Sequence, residues 1–379
     1  MLSVNTCRTL SELATLRESW DQLVAETGYT NVFLTHVWCE TWCQCFARDG
    51  TLRILCLHDG KRLVAIAPFV LTQACGLRTL RWVGNGDADY LGILCATGDL
   101  PDVVSTLLAW LLEQRSRWDI VHWRDIDETI LTLLCDHCPA ELHRIWRKSE
   151  VCPYIPIDCT WEEFTARRGK RFRNLRQTVQ KCHRQARVEF RYAENGRTTA
   201  GDIEREIRTI DADSWKAAQG RSMFRSAECA FWRALLPRIL PAGMLAYRVM
   251  YINGEPAAYQ FCLDFNRKIY GRGTSFRECY RELSPGTVLM EQVLRDVFAA
   301  GYREFDFMRG DEGYKDLWTR HARNNYEWVM YAPTLRTRVA VDILYRYRWA
   351  LRGNPYARRA KIACRVAAER LRRVFARGQ

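Results

Sequence analysis

Apolar and polar positions along this chain follow two periods, and the switches between them mark out its elements. Residues 8–25 repeat apolar positions at helical spacing behind a Thr/Ser-rich start, which predicts an amphipathic helix. Residues 37–46, rich in Trp and Cys, read as a second helix. Apolar runs at 52–57 and 63–71 flank the turn His58-Asp59-Gly60-Lys61 and predict a β-hairpin. Strands are expected at 77–83 and 90–94, on either side of Gly84-Asn85-Gly86. A helix follows over 100–115, with Pro101 in its permissive first turn, and short strands lie at 119–123 and within 144–157.

The second half repeats this order. A hairpin at 244–252 and 256–265 turns at Asn253-Gly254-Glu255, and a strand at 268–276 follows it. Next come a helix over 287–300, a strand at 304–308 and a last strand at 326–331. In each half a hairpin precedes a strand, a helix and a strand. That match predicts an α/β (α+β) protein of two similar units, each packing helices on a mixed, mostly antiparallel sheet. The units are expected at 1–158 and 159–334, with 335–379 as a basic helical tail.

An apolar share of 48% and an aromatic share of 12% over 379 residues exclude a disordered chain and imply sizeable cores. Residues 1–25 lack the basic start and apolar run of a secretory signal. The longest uncharged apolar run, around 63–70, is far short of the ~20 residues a spanning helix needs. A soluble or peripheral protein is expected, in the cytoplasm or at the inner membrane face. The 16 cysteines then read as reduced thiols. Cys135 and Cys138 have a knuckle's gap but no second pair at finger spacing, and Cys39, Cys43 and Cys45 have no histidine pair, so no metal is expected.

Charge is distributed unevenly. Of 57 Lys and Arg, 13 lie in 335–379 against two of the 44 acids, so the tail carries +11 and the rest (44 against 42) only +2. In the tail Ile362, Val366, Leu371 and Val374 fall near one face, opposite Arg365, Arg372, Arg373 and Arg377. Such a helix suits an anionic membrane surface or an acidic protein partner, while nucleic acid lacks a recognised reading module. Between the halves, residues 161–191 hold ten Lys and Arg, with Leu175, Val179 and Cys182 at helical spacing among them. This segment reads either as a solvated helix face or as a basic wall for an anionic ligand.

Candidate chemistry gathers late in the chain. Pro285-Gly286-Thr287 opens a helix whose first amides and dipole make an anion site suited to a pyrophosphate. Residues 303–318, REFDFMRGDEGYKDLW, read as a strand ending in a cluster of charge. Asp306, Asp311 and Glu312 are candidate bases, Tyr314 a candidate proton donor, and Lys315 a candidate stabiliser of negative charge or phosphate. The alternative is that Asp306 and Arg309 pair with each other and Tyr314 is core. His321 reads as structural.

The turn Gly254-Glu255-Pro256, the helix start Ser284-Pro285-Gly286 and the run D-F-x-R-G-D-E-x-Y-K from Asp306 to Lys315 resemble the CelD/BcsL-type acetyltransferase family. That family belongs to the GNAT superfamily and is related to the FemAB peptidyltransferases. Trp161 with Lys170 to Arg176, Asp213-Ser214-Trp215-Lys216, Asn31-Val32-Phe33, Trp38 and Ala65-Ile66-Ala67-Pro68 are similar to further parts of its pattern, over residues 10–331 in all. The resemblance implies two tandem GNAT-like units and an enzyme moving an acyl group from acetyl-CoA or another acyl-CoA. The acceptor that the resemblance implies is an amine or hydroxyl of a small-molecule, glycan or envelope-polysaccharide substrate. It places the coenzyme's pyrophosphate on Ser284, Pro285, Gly286 and Thr287, where this chain has a single glycine and where Arg277 and Arg281 add charge. Arg309, Trp215 and Arg173 complete the expected set on the substrate side. A FemAB-like enzyme using aminoacyl-tRNA is the alternative, and a non-catalytic adaptor anchored by its tail is the reading from outside enzymology.

Overall fold

The structure is a computed structural model that describes residues 2–47, 50–74, 76–194, 196–218, 222–224 and 229–347. Its elements in chain order begin with β1 (Ser3–Cys7), α1 (Leu10–Thr15), α2 (Arg17–Thr27) and α3 (His36–Phe46). There follow β2 (Leu52–Asp59), β3 (Arg62–Ala74), β4 (Leu77–Trp82), β5 (Leu94–Cys95), α4 (Leu100–Glu113), β6 (Ile120–Ile126), α5 (Glu128–His137) and β7 (His143–Pro156). Then come α6 (Trp161–Ala166), α7 (Gly169–Gln185), β8 (Val188–Tyr192), α8 (Ala200–Ala212), α9 (Trp215–Ala218) and α10 (Cys229–Ile239). The last are β9 (Leu245–Ile252), β10 (Glu255–Phe265), β11 (Lys268–Phe276), α11 (Pro285–Ala299), β12 (Glu304–Asp306), β13 (Ala322–Tyr331) and α12 (Leu335–Val341).

Two compact units result. Among the described residues, one gathers those up to Ile155 with Asp306–Arg338, and the other gathers those in Pro156–Phe305 with Val339–Tyr347. The segment from Asp306, expected in the second unit, instead completes the first.

In the first unit the strands run β1-β2-β3-β4-β6-β13-β7, with β5 also on β3. β1 with β2, β2 with β3, β3 with β4 and β5, and β13 with β6 and β7 pair antiparallel, and β4 runs parallel to β6. β13 lies between β6 and β7, with Val329 opposite both His122 and Ile145. Its run from Asn325 to Tyr331 is buried throughout, as a strand covered on both faces and both edges must be. An aromatic stack forms the centre of this core. Phe69 lies parallel to Trp123 at 5.0 Å, Trp82 is 4.7 Å from Trp123, and Trp328 of β13 is 5.4 Å from it.

In the second unit the order is β8-β9-β10-β11-β12. Both tight turns use paired positive φ, Asn253-Gly254 (53° and 84°) and Asn266-Arg267 (47° and 62°), the geometry that matches strand twist in two-residue hairpins. α8 presents Ile203, Ile207 and Ile210 to the core, and α11 presents Val288, Leu289, Val293, Leu294 and Val297. Capping boxes fix the starts of α6 (Thr160 with Glu163) and α8 (Thr199 with Asp202).

The helix expected over 8–25 is two helices, α1 and α2, and β1 precedes them. The predicted amphipathic pattern of Ile362, Val366, Leu371 and Val374 lies outside the described residues. No described helix is long and apolar enough to cross a membrane.

Candidate functional site

The centre of β11 interrupts an otherwise regular ladder. Phe261 faces Gly273 and Cys262 faces Gly271, so the register skips Arg272, which forms a bulge in β11. Gly271, Arg272, Gly273 and Thr274 are half-buried, in contrast to the fully covered Lys268, Ile269 and Tyr270 before them. Glycine at 273 leaves room over the strand: a Cβ there would stand 3.3 Å from Met223 Cε and 3.9 Å from Lys216 Nζ.

Lys216 reaches this place from α9. The turn before that helix is closed by Ser214, whose hydroxyl donates to the Asp211 carbonyl (3.0 Å) and accepts from the Lys216 amide (3.2 Å). The Lys216 ammonium is buried and donates to the Tyr259 hydroxyl at 2.9 Å. Tyr259 in turn donates to Asp211 Oδ1 at 3.1 Å. Burial, with the Asp211 carboxylate as second cause, pushes the Tyr259 phenol well up, so it stays a neutral donor and acceptor. Asp211 Oδ2 and the hydroxyls of Ser222 and Ser275 are buried without a hydrogen-bond partner among the described residues. Ser275 is the cross-strand neighbour of Tyr259, so both side chains share one sheet face. Unsatisfied buried polar groups in a unit that also holds a buried ammonium over a bulged, half-open strand are features of a polar ligand site.

Further along the same unit lies the helix start expected to receive an anion. Ser284 adopts the left-handed conformation (φ 52°) and Pro285 opens α11. Gly286 fits because a Cβ there would come within 3.3 Å of the Phe276 ring. The site is narrower than four free amides. Pro285 has no N–H, and the Thr287 and Val288 amides both turn back to the Ser284 carbonyl (3.0 and 3.1 Å), which leaves Gly286 to present the first N–H. The arginines expected to add charge have carboxylate partners: Arg281 pairs with Glu278 at 2.6 Å, and Arg277 lies 3.6 Å from Asp213 and 3.5 Å from Glu255. Lys181 of α7 donates to the Glu282 carbonyl at 3.1 Å, tying the basic helix to this loop. Of the expected substrate-side residues, Trp215 is half-buried beside Lys216 in sequence and Arg173 is exposed on α7.

Asp306, Arg309, Asp311, Glu312, Tyr314 and Lys315 belong to the first unit. Asp306 is fully buried and accepts from Tyr90 (2.8 Å) and the Met308 amide (2.7 Å), with Arg323 at 4.0 Å. Arg309 does not pair with it; its guanidinium meets Asp89 (3.0 Å) and Asp125 (3.4 Å). Burial pushes the Asp125 carboxyl up to about 6 despite that arginine. Lys315, expected to stabilise charge or hold a phosphate, clamps the chain instead. Its ammonium donates to the carbonyls of Met308, Arg309 and Gly310 (3.1, 3.0 and 3.1 Å) and pairs with Glu312 at 2.8 Å. Gly310 is required there by its φ of 111°, a conformation that side-chain-bearing residues rarely adopt. Asp311 and Tyr314 are exposed, so Tyr314 is not core. Among the described residues no group of three His, Cys, Asp or Glu side chains is arranged to hold a metal ion.

Asp211, Tyr259 and Lys216 were not selected from sequence. Lys216 stands in the Asp213-Ser214-Trp215-Lys216 run, where Trp215 drew the assignment. Tyr259 and Asp211 gave no local signal, being 48 residues apart.

The family model described as acetyltransferase (GNAT) domain matches residues 169–316, which include β11, Lys216 and the Ser284 helix start. No curated protein matches the chain. Among solved structures, FemX is 9% identical with a TM-score of 0.57, over 82% of this chain and 95% of its own. The C-terminal domain (DUF2156) of a protein provisionally described as a lysylphosphatidylglycerol synthetase, from Agrobacterium fabrum, is 14% identical with a TM-score of 0.55, over 84% and 92%. A conserved protein of unknown function from Bacteroides thetaiotaomicron VPI-5482 is 11% identical with a TM-score of 0.53, over 87% and 100%. At these identities the likeness is one of fold.

Proposed function

We propose that this chain, an acyltransferase with a GNAT domain over residues 169–316, moves an acyl group from coenzyme A to an amine or hydroxyl of a small-molecule or envelope-polysaccharide acceptor. The acyl thioester supplies an electrophilic carbonyl carbon. The acceptor's N or O bonds to that carbon, the C–S bond breaks, and the proton lost by the acceptor balances the departing thiolate. Lys216, above Gly273, stabilises the oxygen on which negative charge develops. Tyr259 and Asp211 hold the ammonium in place as a buried chain of donor and acceptor. The Gly286 amide and the N-terminus of α11 receive the pyrophosphate end. One observation carries this reading: inside the matched span, the bulged, half-open centre of β11 lies under a buried ammonium.

Thermal-shift titration of the full chain with acetyl-CoA, a longer acyl-CoA and charged tRNA tests the donor. Acetyl-CoA at a hundred times its Kd is expected to stabilise the fold by about 2.7 kcal/mol, by mass action. The exposed Arg173, Arg176, Lys181 and Arg184 on α7 favour a polyanion and make charged tRNA the rival donor. Stabilisation by charged tRNA with none by either thioester would replace the first reading with a FemAB-like one.

A further inference from the structure

The start of the C-terminal segment has an apolar face where a surface helix should be polar. Leu335, Val339 and Ile343 follow at four-residue spacing through α12 and the π-helical turn after it (Asp342–Tyr347), and they are 81%, 48% and 58% exposed. Thr337, Val341 and Tyr345, also at four-residue spacing, are buried. The segment therefore already has an inward face, and the outward one is aliphatic. A contiguous exposed apolar stripe on a folded protein marks a surface that meets something else.

Charge decides what that partner is. Arg338 and Arg346 flank the stripe, and residues 335–379 hold 13 Lys and Arg against two acids. A second copy of this chain would bring the same positive excess against itself. A polyphosphate gains nothing from three aliphatic side chains. An anionic lipid surface rewards both features, because aliphatic groups enter the acyl boundary while arginines sit at the headgroups.

We infer that Leu335, Val339 and Ile343 form the insertion face of a peripheral anchor for anionic membranes. The assignment stands apart from the acyl-transfer reading, since none of these residues belongs to the β11 site. Sedimentation of the full chain with phosphatidylcholine vesicles, with and without phosphatidylglycerol, tests it. Binding is expected only to the anionic vesicles and to weaken in high salt. The L335S/V339S/I343S variant should lose tenfold or more in apparent affinity, while the melting temperature and the acetyl-CoA shift stay as in the parent. Leu335→Asp, at the most exposed position, gives the same reading where the triple change perturbs folding. Equal binding by parent and variants, or equal binding to neutral vesicles, overturns the inference. So does a concentration-dependent dimer that the triple change abolishes, which would assign the stripe to self-association.

Discussion

Replacing Lys216 with Met is expected to lower kcat for acyl transfer by about 10²–10³-fold, the usual cost of removing one preorganised donor to a developing oxyanion. Met keeps the aliphatic length of the side chain and removes the charge and its hydrogen bond to Tyr259. KM for the acyl donor should change little, because the proposed place for the pyrophosphate end is the α11 start and not Lys216. Lys216→Arg should recover only part of the rate: a planar guanidinium cannot occupy the ammonium's place among Tyr259, Met223 and Gly273 without displacing them. Lys216→Met also strips the buried Tyr259 hydroxyl of the donor it accepts from, so a stability loss of roughly 1–3 kcal/mol is expected as well. An unchanged acetyl-CoA shift on the variant separates lost chemistry from lost fold. A variant that keeps kcat within threefold of the parent would remove Lys216 from the mechanism.

The parts of this fold legible in the sequence are those fixed by local chemistry. Asn253-Gly254 predicted its hairpin because a two-residue turn with paired positive φ selects those residues, and at the β2–β3 turn Gly60 takes the one positive φ. β11 was legible to the residue, and α4 and α11 to within two, because alternation and helical spacing are read in short windows. What a segment pairs with was not legible. β13 looked like the last strand of the second unit and lies between β6 and β7 of the first, since a buried apolar run carries no address. The run from Asp306 to Lys315 was visible as a charge cluster. Its partners Tyr90, Asp89 and Asp125, 216, 220 and 184 residues away, had no local trace. α5, α8 and α10 went unassigned. The β11 site was hidden for the same reason as the charge partners: a helix-end aspartate, a strand tyrosine and a lysine after a short turn meet only in the folded unit.

Glu327→Ala is expected to destabilise the protein by about 3–5 kcal/mol at neutral pH, the range for stripping one partner from a buried ionic cluster. Glu327 sits on β13 and is almost fully buried between its neighbours. Its Oε1 accepts from His122 Nε2 of β6 at 2.7 Å and its Oε2 takes two bonds from Arg147 of β7 at 2.6 and 2.9 Å, with Arg124 at 3.7 Å. His122 and those arginines hold the Glu327 carboxyl down at about 2 against the cost of burial. Burial drives His122 down to about 4, so at neutral pH it is an uncharged donor and the arginines carry the compensating charge. Both groups protonate more readily unfolded, at about 6.5 and 4.3. As pH falls the unfolded chain therefore takes up protons first, and stability that is complete above about 6.5 drains away through His122 and then through Glu327. Each shift is worth on the order of 3 kcal/mol if fully expressed, and because the two titrate as a coupled pair the sum is smaller. Urea midpoints at pH 7, 5 and 3.5 should fall steeply for the parent. In Glu327→Ala they should start lower and fall less between 5 and 3.5, because the carboxyl that titrates there is gone. Arg147 and Arg124 keep some solvent contact and can rehydrate, which favours the lower end of the range for the alanine variant. Parallel midpoint curves in parent and variant would show that the three strands are held by their aromatic stack and that the carboxylate between them is incidental.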